Sequence, residues 1–262
     1  MAEATAPVAA ESAGTILRLR GVGRRFGGVQ AVRDVDLDVA HGERRAILGP
    51  NGAGKTTLFN LVSGDVAATS GTIEFDGDDT TELPAPYRTK LGMSRTYQKS
   101  RLFLGLSVED NLYLAVLGAR RGHLRVLRGG SEGAIRGRAH EVAEQVRLAA
   151  RRHAVAGSLS HGEQRQLEIG LALAPSPRLL MLDEPAAGLS RAERLGLTKM
   201  LLELDRAVTL IIIEHDMDVA LTVAEYVTML HQGEKLLEGA PQEIRANKMV
   251  HDLYLGNTHG GE

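Results

Sequence analysis

The chain has 262 residues, 43% hydrophobic and 24% charged, with a formal net charge of −2. That is enough to bury a substantial core, with no basic excess to suggest nucleic acid as the main partner. There is no cysteine, which excludes disulfides, thiolate nucleophiles and cysteine-based zinc sites.

Residues 1–14 are alanine-rich, lack the basic flank and apolar run of a signal peptide, and read as a tail. An extended stretch begins at Ile16. Val35, Leu37 and Val39 then alternate with Asp34, Asp36 and Asp38, the period-two pattern of a half-buried strand. Residues 45–48 lead into a glycine-rich loop, and a helix is predicted from Lys55 with Leu58, Leu61 and Val62 on its apolar face. Residues 71–77 read as another strand between turn signals. Residues 107–156 predict helices, interrupted by an arginine- and glycine-rich stretch at 120–138. The runs 178–182 and 208–213 are short aliphatic strands of the kind buried in parallel sheets. The longer of them is far too short to span a bilayer, so a cytosolic chain is expected, with any membrane role supplied by a partner. A hairpin is predicted about His231-Gln232-Gly233, and a last helical piece ends near Leu255. This order predicts one α/β unit over 15–256, with a helical subdomain inserted at about 99–158 and a short tail at 257–262.

Gly49-Pro50-Asn51-Gly52-Ala53-Gly54-Lys55-Thr56 fits the phosphate-loop pattern G-x-x-x-x-G-K-[ST], between a predicted strand and a predicted helix. Glycines let the backbone wrap a phosphate, successive N–H groups form an anion nest, and the helix adds its positive end. Lys55 is expected to reach the β- and γ-phosphates of ATP and the Thr56 hydroxyl to ligate Mg²⁺. The bland alternative is a glycine-rich turn capping a helix. Residues 179–182 run directly into Asp183-Glu184, two acids at the C-terminal edge of a buried strand, where α/β folds bind ligands. Asp183 would hold Mg²⁺, directly or through water, and Glu184 would deprotonate the attacking water; alone, the pair reads equally as solvated acids opening a loop. His215 follows the 208–213 run at a similar strand end and could bond the γ-phosphate, or be a structural histidine.

Ser160-His161-Gly162-Glu163 reads locally as a capping box, with Ser160 and Glu163 opening a helix. The stretch Leu159-Ser160-His161-Gly162-Glu163-Gln164 also resembles the signature motif of ABC ATPases, and the other motifs fall in that family's order. Phe26 sits where its adenine-stacking aromatic occurs, Gln98 matches its Q-loop, and Asp183-Glu184 and His215 follow. The resemblance implies the fold of that family: a P-loop NTPase core with an antiparallel β subdomain and an inserted helical subdomain. It implies ATP contacts from Phe26, Val32 and residues 49–57, ending with Thr57, and a catalytic group of Glu184, His215, Lys55 and Gln98. Thr56, Gln98 and Asp183 are the implied Mg²⁺ residues. Ser160, Gly162 and Glu163 would serve the nucleotide of a second subunit across a dimer interface. Three departures stand out: Phe26 replaces the usual tyrosine, His161 and Glu163 stand where glycine and glutamine are commonest, and Ser190 replaces an aspartate. A finer resemblance is to the ATPases of branched-chain amino acid importers of the Liv type. It rests on Arg25-Phe26-Gly27-Gly28, Arg95-Thr96-Tyr97-Gln98, Glu214-His215-Asp216-Met217 and Tyr254-Leu255-Gly256. It implies two integral membrane permease subunits, a second and different ATPase, and an extracytoplasmic solute-binding protein, with this chain on the cytoplasmic face of the inner membrane. The arginine-rich 120–138 segment and residues 99–106 are candidate contacts for the membrane or a permease. Two alternatives are an ATPase of a lipopolysaccharide exporter and a soluble ABC ATPase.

Overall fold

The computed structural model describes residues 14–97, 102–119 and 131–255. In chain order, β1 (Thr15–Phe26) and β2 (Val29–Ala40) form a long hairpin, followed by β3 (Arg44–Leu48) and α1 (Lys55–Ser63). Next come β4 (Ser70–Phe75), β5 (Asp78–Asp79), α2 (Ala85–Leu91) and β6 (Met93–Arg95). A helical stretch contains α3 (Val108–Ala119), α4 (Ser131–Gln145) and α5 (His161–Leu173). The chain then alternates through β7 (Leu179–Asp183), α6 (Arg191–Glu203), β8 (Thr209–Ile213) and α7 (Met217–Val223). It closes with β9 (Tyr226–His231), β10 (Glu234–Gly239), α8 (Pro241–Ala246) and α9 (Lys248–Leu255).

One sheet is antiparallel, in the order β2-β1-β4-β5. The other, β10-β9-β3-β8-β7-β6, is parallel from β9 to β6, with β10 antiparallel at its edge. β3, β7 and β8 are buried at every position, because this sheet is covered on both faces and each face takes alternate residues. Leu48, Leu182 and Ile212 join a core with α3 to α7. Ile47, Met181 and Ile213 join a second core with α1 and the antiparallel sheet. The central sheet thus holds the ends of β3, β7 and β8 at one edge, between two packed layers. No helix among the described residues is long and apolar enough to cross a membrane.

Two expectations change. Residues 131–138, expected as irregular, form the first half of α4; Ile135, Ala139 and Val142 give it a buried stripe that Gly133, Arg136, Gly137 and Arg138 obscure in the sequence. Residues 120–130 lie outside the described residues. The strand expected at 71–77 stops at Phe75, because Asp76 (φ 53°) and Gly77 (φ 87°) turn into β5 in left-handed conformation.

A feature invisible to periodicity is Arg88 of α2, 1% exposed. Its guanidinium donates to the carbonyls of Leu61 and Val62 at 2.8 and 2.7 Å, closing the C-terminal end of α1, and to Leu83 and Thr81. A cation there satisfies orphan carbonyls and the helix dipole together.

Candidate active site

The phosphate loop leaves β3 at Gly49 and enters α1 at Gly54, squeezed between neighbouring strands. A Cβ on Gly49 (φ 152°) would lie 2.2 Å from the Leu230 carbonyl oxygen, and one on Gly54 (φ 98°) 2.6 Å from that of Ala31. Glycine is required at both by the protein's own packing. α1 begins with Gly54 as N-cap, no side-chain cap and no acid in its first turn, so no carboxylate of the helix itself offsets its positive end. Lys55 is buried and donates from Nζ to the Gly49 and Pro50 carbonyls at 2.6 and 3.0 Å. Burial lowers its pKa, while Glu184 and Asp183 oppose that shift.

Residues 51–57 line a cleft of about 420 Å³ together with Glu184, Val29, Gln30, Ala31, Gln232 and Gly233. The last five were not expected from sequence. The turn at Gln232 (φ 49°) and Gly233 (φ 85°) was legible only as a hairpin turn. Its position comes from two hydrogen bonds, Gly233 N–H to the Ala53 carbonyl (3.0 Å) and Arg33 N–H to the Gly233 carbonyl (2.7 Å), which tie it to the loop and to β2. Val32 is buried beneath Gly54 and takes no part in the lining, so its contribution is to support the loop. Phe26, at the tip of β1, is 45% exposed, with the Arg24 guanidinium over its ring at 4.5 Å. Gln98 lies outside the described residues.

Asp183 ends β7 and is buried, and neither carboxylate oxygen has a hydrogen-bond partner. The Arg95 guanidinium stands 3.5 Å away. Burial raises the Asp183 pKa, with Arg95 opposing it. A buried carboxylate without donors suits a hard cation. Among the described residues no three histidines or acids cluster as a metal cage.

Glu184 adopts φ 46°, a left-handed conformation costing a non-glycine residue about 1–3 kcal/mol unless the surroundings fix it. Its N–H donates to the Ile213 carbonyl at 2.9 Å. The following Ala186 N–H donates to a carboxylate oxygen of Glu214 (2.8 Å), whose burial raises its pKa. His215 Nδ1 stands 3.8 Å from Glu184 Oε1, so the loops after β7 and β8 bring the expected base and histidine together.

Ser160, Gly162 and Glu163 do not line this cleft. Both halves of the capping box form: Glu163 N–H donates to Ser160 Oγ at 3.2 Å, and Ser160 N–H to Glu163 Oε2 at 2.9 Å. Arg151 pairs with Glu163 at 3.3 Å. Gly162 N–H donates to Glu193 Oε1 at 2.9 Å, an acid of α6 that the sequence reading missed. Glu193 also closes the capping box on Ser190, and these donors hold its pKa down to about 2.

A family profile described as ABC transporter matches residues 32–187, spanning the phosphate loop, the signature and Asp183-Glu184. The chain belongs to the ABC transporter family. It is an ATP-binding subunit of that family, an ATPase that drives transport. Over 256 residues it is 37% identical to the high-affinity branched-chain amino acid transport ATP-binding protein BraF of Pseudomonas aeruginosa, covering 93% of this chain and 98% of that one. It is 36% identical to LivG of Escherichia coli, with the same coverage. The lipopolysaccharide export ATP-binding protein LptB of Escherichia coli is 35% identical, over 92% of this chain and 97% of its own. Among solved structures, the ADP conformation of MJ1267, an ATP-binding cassette of an ABC transporter, superposes with TM-score 0.82 at 26% identity, covering 93% of this chain and 99% of that one. The ABC subunit therefore has the P-loop NTPase fold that its motif order implied.

Proposed function

We propose that this ABC subunit powers an importer of branched-chain amino acids or related small polar or organic-acid solutes. The full-length similarity to BraF and LivG carries the reading. In it, the chain works on the cytoplasmic face of the inner membrane with two permease subunits, a second, different ATPase and an extracytoplasmic binding protein. Two ATP molecules close the dimer, each held by the phosphate loop of one subunit and by Ser160 and Gly162, or their counterparts, of the other. Lys55 turns from the Gly49 and Pro50 carbonyls to the β- and γ-phosphates, Glu184 takes the proton of the attacking water, and His215 steadies that water and the γ-phosphate. Thr56 and Asp183 would hold Mg²⁺, with Gln98 expected beside them; the ion supplies charge neutralisation at the phosphate oxygens. Exposed Phe103, Leu104 and Leu106 support the permease contact expected at 99–106, of which 99–101 lie outside the described residues.

Two measurements test this. Glu184→Gln should turn over ATP about 10²–10⁴-fold more slowly and accumulate as an ATP-bound dimer, read by mass in solution. A variant that binds ATP yet stays monomeric calls for co-purification with a different ATPase, and one that hydrolyses ATP normally refutes Glu184 as the base. Cells carrying Lys55→Ala should lose uptake of labelled leucine. Intact uptake with lipopolysaccharide lost from the surface would favour the exporter reading instead.

A further inference from the structure

Arg165 lies on α5, three residues after Gly162, and reaches back to the loop after β7. Its Nη2 donates to the Glu184 carbonyl at 2.6 Å and the Asp183 carbonyl at 3.2 Å, and its Nε to the Pro185 carbonyl at 3.0 Å. Nη1 is held by Glu168 Oε2 at 2.8 Å, and both side chains are only 13% exposed. Two of the guanidinium's three nitrogens thus go to this loop, and the third to a carboxylate on its own helix. The carbonyls it gathers belong to three successive residues, which carry the acid that fits the metal and the expected base.

The middle residue of the three is the one in left-handed conformation, Glu184 at φ 46°. Such a residue persists only where neighbours over-determine it. The other ties on this stretch come from its own chain segment, from the end of β8 and from the residue after β6: Ala187 N–H to the Glu184 carbonyl, Glu184 N–H to the Ile213 carbonyl, Ala186 N–H to the Glu214 carboxylate and Asp183 N–H to Thr96 Oγ1. Arg165 is the tie from α5, the helix that begins with the signature. A planar fork with donors in fixed directions suits the holding of several carbonyls at once, whereas a lysine ammonium, being a point charge, does not impose their relative orientation.

We propose that Arg165 is a positioning residue for ATP hydrolysis, clamping residues 183–185 so that the strained turn aims the Glu184 carboxylate into the nucleotide cleft. The proposal rests on the reading of Glu184 as the base. It is tested on the full chain with Arg165→Met and Arg165→Lys, by amide hydrogen exchange and by steady-state ATPase kinetics. In Arg165→Met the amides of Glu184, Ala186 and Ala187 should exchange about tenfold faster, with those of α1 unchanged. kcat should fall by about 10- to 100-fold while KM and the affinity for a fluorescent ATP analogue stay within about threefold. Arg165→Lys should show a smaller change of the same sign, and it reads the same amides if the methionine variant fails to fold. Glu168→Gln, which weakens the support on Nη1, should fall between wild type and lysine. Exchange at those amides within about twofold of wild type in both Arg165 variants overturns the clamp, as does an unchanged kcat. Glu184→Gln run in parallel separates the two ideas. If it retains turnover, the base assignment has failed; if it abolishes turnover while the Arg165 variants change neither readout, only the clamp has failed.

Discussion

Two helices of this subunit, α1 and α5, begin where the family reading puts a phosphate, and the chain finishes their N-termini in opposite ways. α1 starts at Gly54 with no side-chain cap and no acid in its first turn. α5 starts with a complete capping box, Glu163 in its first turn, and the Glu193 carboxylate on the Gly162 N–H. An end left without acids is a strong anion site from the moment the chain folds. An end already engaged by two carboxylates meets a phosphate only in competition with the protein's own groups. The difference suits the division of labour proposed above: α1 grips the nucleotide within one chain, and α5 engages one only when a partner presents it.

The largest effect should come from spoiling the bare end. Gly54→Ala places a Cβ 2.6 Å from the Ala31 carbonyl and asks an L-residue for φ 98°. A cost of about 2–3 kcal/mol is expected in the urea midpoint, together with loss of ATP binding in a fluorescent-analogue titration. Normal binding would show that the loop tolerates more rearrangement than its packing suggests.

The other end of α1 sharpens the contrast, because there the chain invests a buried cation. Arg88→Met would leave the carbonyls of Leu61, Val62, Thr81 and Leu83 without their donor. A loss of about 3 kcal/mol in denaturant unfolding is expected, with ATP affinity changed much less than by Gly54→Ala. Equal losses in stability and affinity would mean that the two ends of α1 are not separable.

These two residues also mark what the sequence could tell. The phosphate loop was legible because its chemistry is contiguous: seven of the cleft's lining residues, 51–57, adjoin in the chain, and the backbone does most of the work. Asp183, Glu184 and His215 were legible as residues ending apolar strands. Arg88, Arg165, Glu193 and the docking of the Gln232-Gly233 turn against the phosphate loop were not. Each acts on a partner at least 18 residues away in the chain, as in Arg165 to Asp183 or Gly162 to Glu193, and no local period or spacing encodes that. The helical start of α4 was hidden for a different reason, because arginines and glycines dilute a stripe that only packing reveals.

The engaged end of α5 should respond to acid. Glu193 has its pKa held down to about 2, through donors on Ser190 and Gly162. A carboxylate depressed on folding contributes stability that is complete above the ordinary glutamate pKa of 4.5 and is lost as the pH falls toward 2. The urea midpoint of wild type should therefore exceed that of Glu193→Gln at pH 6, and the gap should close as the pH is lowered through that window. A gap that widens on acidification would sink the assignment.

The smallest effect is expected at Glu163, the residue whose charge looked most hostile to a γ-phosphate. Its carboxylate is turned back onto the Ser160 N–H and paired with Arg151, so its charge is already answered within the chain. Glutamine can accept the same hydrogen bond, and Glu163→Gln should cost no more than about 0.5 kcal/mol, whereas Glu163→Ala should cost about 1 kcal/mol by opening the capping box. The decisive comparison is made in the Glu184→Gln background, where the ATP-driven dimer can be weighed in solution. If Glu163 caps its own helix, Glu163→Gln should shift the dimer midpoint by less than about threefold, the scale of an exposed, screened charge. A tenfold tightening would mean that the carboxylate faces the partner's nucleotide after all, and that both ends of this pair of helices oppose or attract phosphate by charge alone.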